Sequence, residues 1–106
     1  MSDYVQVVTT TEKKADAETI ARRLVEDRLA ACVQIVGPVT SVYRWQGQVE
    51  TAEEWQCWAK TRRDRYDAVE TAIRQCHPYD EPEILAVEIA AGSASYLRWL
   101  DEQVDS

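Results

Sequence analysis

Phenylalanine is absent from this chain, histidine occurs once, and glycine, proline and cysteine occur three times each. Each scarcity excludes something. Three glycines are too few for a glycine-rich phosphate loop of the Walker or Rossmann type. Three widely spaced cysteines, an odd number, make neither a disulfide framework nor a zinc knuckle, and a reducing cytoplasm is the simplest compartment for them. No apolar run approaches the roughly 20 residues of a membrane span, and the N-terminus reads as free of a signal peptide, so no membrane partner is expected. Positive charge is also short. Twelve Lys and Arg face 19 Asp and Glu, a net charge of −7, which argues against nucleic-acid binding through clustered cations. The single histidine has no Ser or Cys nucleophile motif beside it, and the chain reads as a non-enzyme.

What remains is ordinary globular material. The chain has 106 residues, 45% hydrophobic and 29% charged, enough for one domain over residues 1–106 with a modest core. Four Trp and five Tyr supply all the large rings. Each carries a polar handle, which suits an interface with one wet edge.

Residues 4–10 are rich in β-branched side chains and predict a first strand. Thr10 or Thr11 is placed to cap the helix that follows. Its stripe is Ala17, Ile20, Ala21, Leu24, Val25 and Leu29, with Glu18, Arg22, Arg23 and Glu26 opposite. Residues 31–45 predict a second strand whose Gly37-Pro38 step demands a bend, a bulge or an edge position. Gln46, Gly47 and Gln48 turn the chain, and 49–60 return as a third strand. The resulting hairpin is long for such a small domain and exposes unpaired edges, so self-association through it is expected. Residues 62–76 predict a second helix on Tyr66, Val69, Ile73 and Cys76, ended by His77-Pro78. Residues 84–91 predict a fourth strand, and Ser93 caps a last helix that buries Tyr96, Trp99 and Leu100.

The order is β-α-β-β-α-β plus a C-terminal helix: an α+β, ferredoxin-like sandwich with a long β-hairpin. Both helices then cover one face of the sheet. Gln6, Gln34, Gln56, Trp58, Lys60 and Glu88 fall on the other, a mixed face that suits a subunit contact. Cys32 and Cys57 read as small core residues on neighbouring strands. Lys60 needs a partner there, supplied by Glu54, Glu83 or Glu88, or by a bound anion.

One stretch concentrates chemistry: residues 77–83, with an imidazole, a phenol and three carboxylates between two prolines. The prolines stiffen it into an extended connector, and ordered donors bind better than floppy ones. Cys76 and His77 put sulfur and nitrogen side by side, as soft or borderline metals require. The plain alternative is a stiff turn with solvated acids.

Read together, these segments resemble the CutA family, the divalent-cation tolerance proteins. The matching residues are Leu29-Ala30-Ala31-Cys32-Val33, Ser41-Val42-Tyr43-Arg44-Trp45-Gln46-Gly47, Glu54, Lys60-Thr61, His77-Pro78-Tyr79, Pro82-Glu83-Ile84 and Tyr96-Leu97-Arg98-Trp99-Leu100. The resemblance covers nearly the whole chain, in order. It implies a tight homotrimer built like the PII signalling proteins, and a cytoplasmic role tied to divalent metals, copper above all. His77 stands where the family has a histidine, and Cys76 where some members have a second one. Thr9 stands where some members place a metal-binding cysteine, and a hydroxyl is a poor substitute for a thiolate toward copper. The metal candidates are therefore His77, Cys76 and Glu83, with Asp80 and Glu81 nearby, holding Cu²⁺ or another divalent cation weakly. The other implied reading is a PII-like sensor of a small anionic ligand. Its cleft between subunits would use Lys60 as charge anchor with Tyr43, Trp45, Tyr79 and Glu54 as walls.

Overall fold

Alternation decides the core. In the computed structural model, which describes residues 2–105, β1 (Tyr4–Thr11) and β3 (Gln48–Arg62) turn Val5, Val7, Cys57 and Ala59 toward one face. Two helices cover that face. α1 (Lys14–Glu26) buries Ala17, Ile20 and Leu24, and α2 (Tyr66–Cys76) buries Val69, Ala72 and Ile73. Each large aliphatic side chain buried there contributes about 1.5–3 kcal/mol. With β2 (Cys32–Trp45) and β4 (Leu85–Glu88) the sheet runs β2-β3-β1-β4, all neighbours antiparallel. This is the ferredoxin-like arrangement expected from the order of elements.

Several boundaries differ from the sequence reading. Neither Thr10 nor Thr11 caps α1: Lys13 occupies the cap position without a side-chain bond, and the Thr11 hydroxyl donates to the Lys13 carbonyl at 2.8 Å. Strand β3 continues to Arg62, which pairs with Tyr4 and donates to the carbonyls of Val104 and Asp105, so α2 begins only after the 3-10 turn Arg63–Arg65. Strand β4 stops at Glu88 because its partner β1 runs out: Glu88 pairs with Val5, and the Ile89 N–H donates to the Tyr4 carbonyl.

The C-terminal α3 (Ala94–Gln103) is capped by Ser93, whose hydroxyl accepts from the Tyr96 N–H at 3.2 Å. It docks through Leu100, and Val104 beyond its end, onto Ala31 and Tyr4. Tyr96 and Trp99, expected on its buried side, remain 41% exposed in the single chain, stacked on each other with centroids 5.4 Å apart.

Only residues 55–62 of β3 pair with β1. The remainder, with 39–45 of β2, forms a two-stranded arm beyond the sheet. The chain is accordingly elongated, 45 × 25 × 22 Å. Val42 and Val49 on the arm are 67% and 65% exposed. Isolated two-stranded hairpins are marginal in water, so an arm of this kind gains from being covered.

Candidate functional site

The irregularity at Gly37-Pro38 sets up the site. Val36 pairs with Gln56 and Val39 with Glu54, so β2 carries one extra residue across that step. An extra residue reverses which side chains point to which face. Before the step, even-numbered residues of β2 share a face with Gln56, Trp58 and Lys60. After it, Ser41, Tyr43 and Trp45 share the face of Glu54. The bulge thereby moves two aromatic rings onto the helix-free face, beside a carboxylate that is only 8% exposed.

The connector 77–83 closes the other side. His77 ends α2 with an extended backbone, as its position before Pro78 requires. Its ring is held at both nitrogens. Nε2 lies 2.8 Å from the Thr10 carbonyl, and the Tyr79 N–H reaches Nδ1 at 3.1 Å. A carbonyl can only accept, so Nε2 carries the proton and Nδ1 accepts: the neutral Nε2–H tautomer. Burial pushes the imidazole below its ordinary pKa, against the pull of the Thr10 carbonyl, Asp16 and Glu54. Tyr79 packs tilted against it at 4.8 Å and donates its hydroxyl to Glu54 Oε2 at 2.9 Å. Burial, the Glu54 bond and nearby charge all push the Tyr79 phenol upward, with the Tyr43 phenol adding to them.

Between arm and connector lies a cleft of about 600 Å³. Tyr43, Trp45 and Tyr79 are its aromatic walls, and Glu54, Asp80, Glu81 and Glu83 its charges. Thr10, Ser41 and Val42 complete the lining, and no Lys, Arg or His side chain belongs to it. Among the described residues, the one cation ion-paired to these acids is Arg74, whose Nη1 stands 3.8 Å from Glu81 Oε2. A carboxylate-lined concavity attracts cations and repels anions.

Seven of the residues singled out in the sequence thus come together: Tyr43, Trp45, Glu54, Tyr79, Asp80, Glu81 and Glu83. Lys60 does not line this cleft within one chain. It lies six residues from Glu54 along β3, roughly 20 Å at strand rise. Its Nζ donates to Gln34 Oε1 at 2.9 Å rather than to Glu54, Glu83 or Glu88, because Gln34 sits on the facing strand β2. Cys76 faces away into α2, donating to the Ala72 carbonyl at 3.2 Å, and burial raises its thiol pKa. Thr9 lies buried on the helix face, paired with Cys57, its hydroxyl without a partner. Cys57 is core as expected, while Cys32 is only half-buried. Among the described residues no three His, Cys, Asp or Glu side chains converge into a metal-holding set, so His77, Cys76 and Glu83 do not form a centre within one chain. Thr10, Ser41 and Val42 are lining residues that the sequence reading misses; the Gly37-Pro38 step is the signal that could have placed Ser41.

Known proteins resemble the chain throughout. A family model described as CutA1 divalent ion tolerance protein matches residues 5–103. A divalent-cation tolerance protein CutA from Thermus thermophilus is 45% identical over 96 residues, covering 91% of this chain and 93% of that one. The solved structure of the Thermus thermophilus divalent cation tolerance protein superposes with a TM-score of 0.93 at 42% identity, covering 96% of this chain and 99% of that one. CutA from Xylella fastidiosa gives 0.94 at 39%, covering 98% and 100%. A relative from Archaeoglobus fulgidus, described as a periplasmic divalent cation tolerance protein, gives 0.93 at 36%, covering 96% and 99%. On the match from Val5 to Gln103, and on relatives of this identity and coverage, the chain belongs to the CutA1 divalent ion tolerance family.

Proposed function

We propose that the protein is a non-catalytic, cytoplasmic homotrimer that holds a divalent cation weakly in the acidic cleft. The single observation that carries this reading is the charge of the cleft: four carboxylates and no lining cation. An anionic ligand would meet four like charges there.

Oxygen donors without a converging triad favour a partly hydrated ion, as hard cations prefer. Copper or zinc would also engage His77, but only after Nδ1 gives up the Tyr79 N–H. Copper binding at His77 is therefore the weaker branch of the proposal, and the carboxylates are its centre. Free thiols at Cys32, Cys57 and Cys76 favour the reducing compartment.

Self-assembly rests on the edges. Strand β2 is open along its outer side, and β4 at the opposite edge exposes Leu85 and Val87. Two unlike open edges at opposite ends of one sheet suit head-to-tail contacts, which close into a ring when the rotation permits. Three is the number of subunits that the family resemblance implies.

Calorimetric titration with Mn²⁺, Zn²⁺ and Cu²⁺ tests the site in wild type, Glu54→Gln, the double variant Glu81→Gln with Glu83→Gln, and His77→Ala. Carboxylate variants weaken all three ions, and His77→Ala weakens Cu²⁺ and Zn²⁺ only. Equal Mn²⁺ binding by wild type and both carboxylate variants overturns the assignment. Sedimentation equilibrium at micromolar protein tests the assembly, and a folded monomer overturns the trimer.

A further inference from the structure

We infer that the same cleft accommodates an organic cation, an alkylammonium group seated between the Tyr43 and Trp45 rings with Glu54 as its counter-charge. The inference rests on the cation reading of this cleft and names a further ligand class for it.

Size is the first reason. A bare or hydrated metal ion needs little room, whereas about 600 Å³ falls in the range of small-molecule sites. The walls are the second. Three aromatic rings contribute nothing to a hard metal ion, yet ring faces attract ammonium groups whose charge is spread over methyl or methylene carbons. Tyr43 and Trp45 stand two residues apart on one face of β2, about 7 Å along the strand, enough for a trimethylammonium group to contact both. Tyr79 faces them from the connector, its ring backed by His77.

Glu54 is the third reason. It lines the cleft while only 8% exposed, and the Tyr79 hydroxyl holds one of its oxygens at 2.9 Å. A recessed carboxylate among aromatic faces meets a soft, weakly hydrated cation at low desolvation cost; a strongly hydrated metal ion loses more on entering. The lack of three converging donors, which leaves a metal ion poorly coordinated, is no handicap for an ammonium group. The Asp80, Glu81 and Glu83 carboxylates at the connector draw the ligand in from solvent.

The test uses choline and its uncharged isostere 3,3-dimethylbutan-1-ol, titrated into the native protein with tryptophan fluorescence and calorimetry as readouts. Choline binds and the alcohol does not. Trp45→Leu weakens choline about tenfold, between the sizes of an exposed and a fully desolvated cation–π contact, and weakens choline more than Mn²⁺. Trp45→Tyr restores most of the loss, which separates ring chemistry from damage to the arm. Glu54→Gln weakens both cations. Absence of choline binding, equal binding of the neutral isostere, or equal choline affinity in Trp45→Leu and wild type overturns the inference. Mn²⁺ binding without choline binding sinks this inference alone. Choline binding lost in Trp45→Leu, with Mn²⁺ indifferent to the carboxylates, sinks the metal reading alone.

Discussion

Tyr79 donates its hydroxyl to Glu54 Oε2 across 2.9 Å, joining residues 25 apart in the chain and two separate walls of the cleft. One end of this bond belongs to the proline-stiffened connector and the other to β3 where it leaves the main sheet. Tyr79→Phe keeps the ring and removes the tie. A carboxylate left with fewer donors at a site this secluded costs about 1–3 kcal/mol. Urea unfolding of the variant is expected to show a loss of that order, with faster amide exchange in residues 77–83. An unchanged midpoint would mean that water replaces the hydroxyl without penalty.

His77 gives the fold a pH dependence. Its folded pKa lies below the ordinary value, so between the two values the unfolded chain binds more protons than the folded one. The associated stability is complete above about pH 6.5, the unfolded imidazole value, and falls as pH drops through the folded value. Protonation also places a hydrogen on Nδ1, directly against the Tyr79 N–H. Denaturation at pH 7.5 and 5.5 should show wild type losing more stability than His77→Gln. Equal losses would show that the imidazole takes up its proton as readily in the folded chain as in the unfolded one.

Much of this is legible in the sequence, and the failures share a cause. Val5, Val7, Ile20, Leu24, Val69 and Ile73 carry the strand and helix periodicities that a βαββαβ sandwich satisfies, and they form the core. The connector is legible because two prolines leave few conformations. The separation of Lys60 from the cleft of its own chain is not legible, because strand alternation gives the face of a residue but not its distance along that face. Gln34 answers that lysine from a strand 26 residues away in sequence. Tyr96 and Trp99 follow the stripe of α3, yet that helix meets its sheet mainly through Leu100, and the stripe is wider than the contact. The end of β4 cannot be read from β4 at all, since the first residues of β1 decide it.

Cys57 is the least reactive thiol expected here. It is buried in the core, its Sγ directed at the Ala17 carbonyl at 3.4 Å, and burial pushes its pKa up to about 12. At pH 8 about one molecule in ten thousand then carries the thiolate, the form that alkylates. Brief iodoacetamide exposure followed by peptide mass analysis should modify half-buried Cys32 well before Cys57, with Cys57 labelled only in denaturant. Early labelling of Cys57 would mean that α1 separates from the sheet in the native state.

Gly37 tests the link between the bulge and the cleft. A Cβ at this position would stand 2.8 Å from Cε3 of Trp55 and 3.2 Å from the Glu54 carbonyl. Trp55 cannot easily retreat, because its ring packs against the core and lies under the Lys14 ammonium, 5.3 Å from the ring centroid. The backbone of β3 at Glu54 is the other thing that must move. Gly37→Ala is therefore expected to cost about 1–3 kcal/mol, the usual penalty for overpacking. It should also weaken Mn²⁺ binding, although Gly37 lines no part of the cleft, because Glu54 and the arm residues beyond the step are displaced together. Gly47→Ala is the comparison: it sits at the arm tip with φ of 79°, has nothing within 4 Å of its Cβ, and strains only its own turn. It should cost stability locally while leaving Mn²⁺ affinity intact. If Gly37→Ala lowers stability but binds Mn²⁺ as wild type does, the bulge is a packing feature and does not hold the cleft in shape.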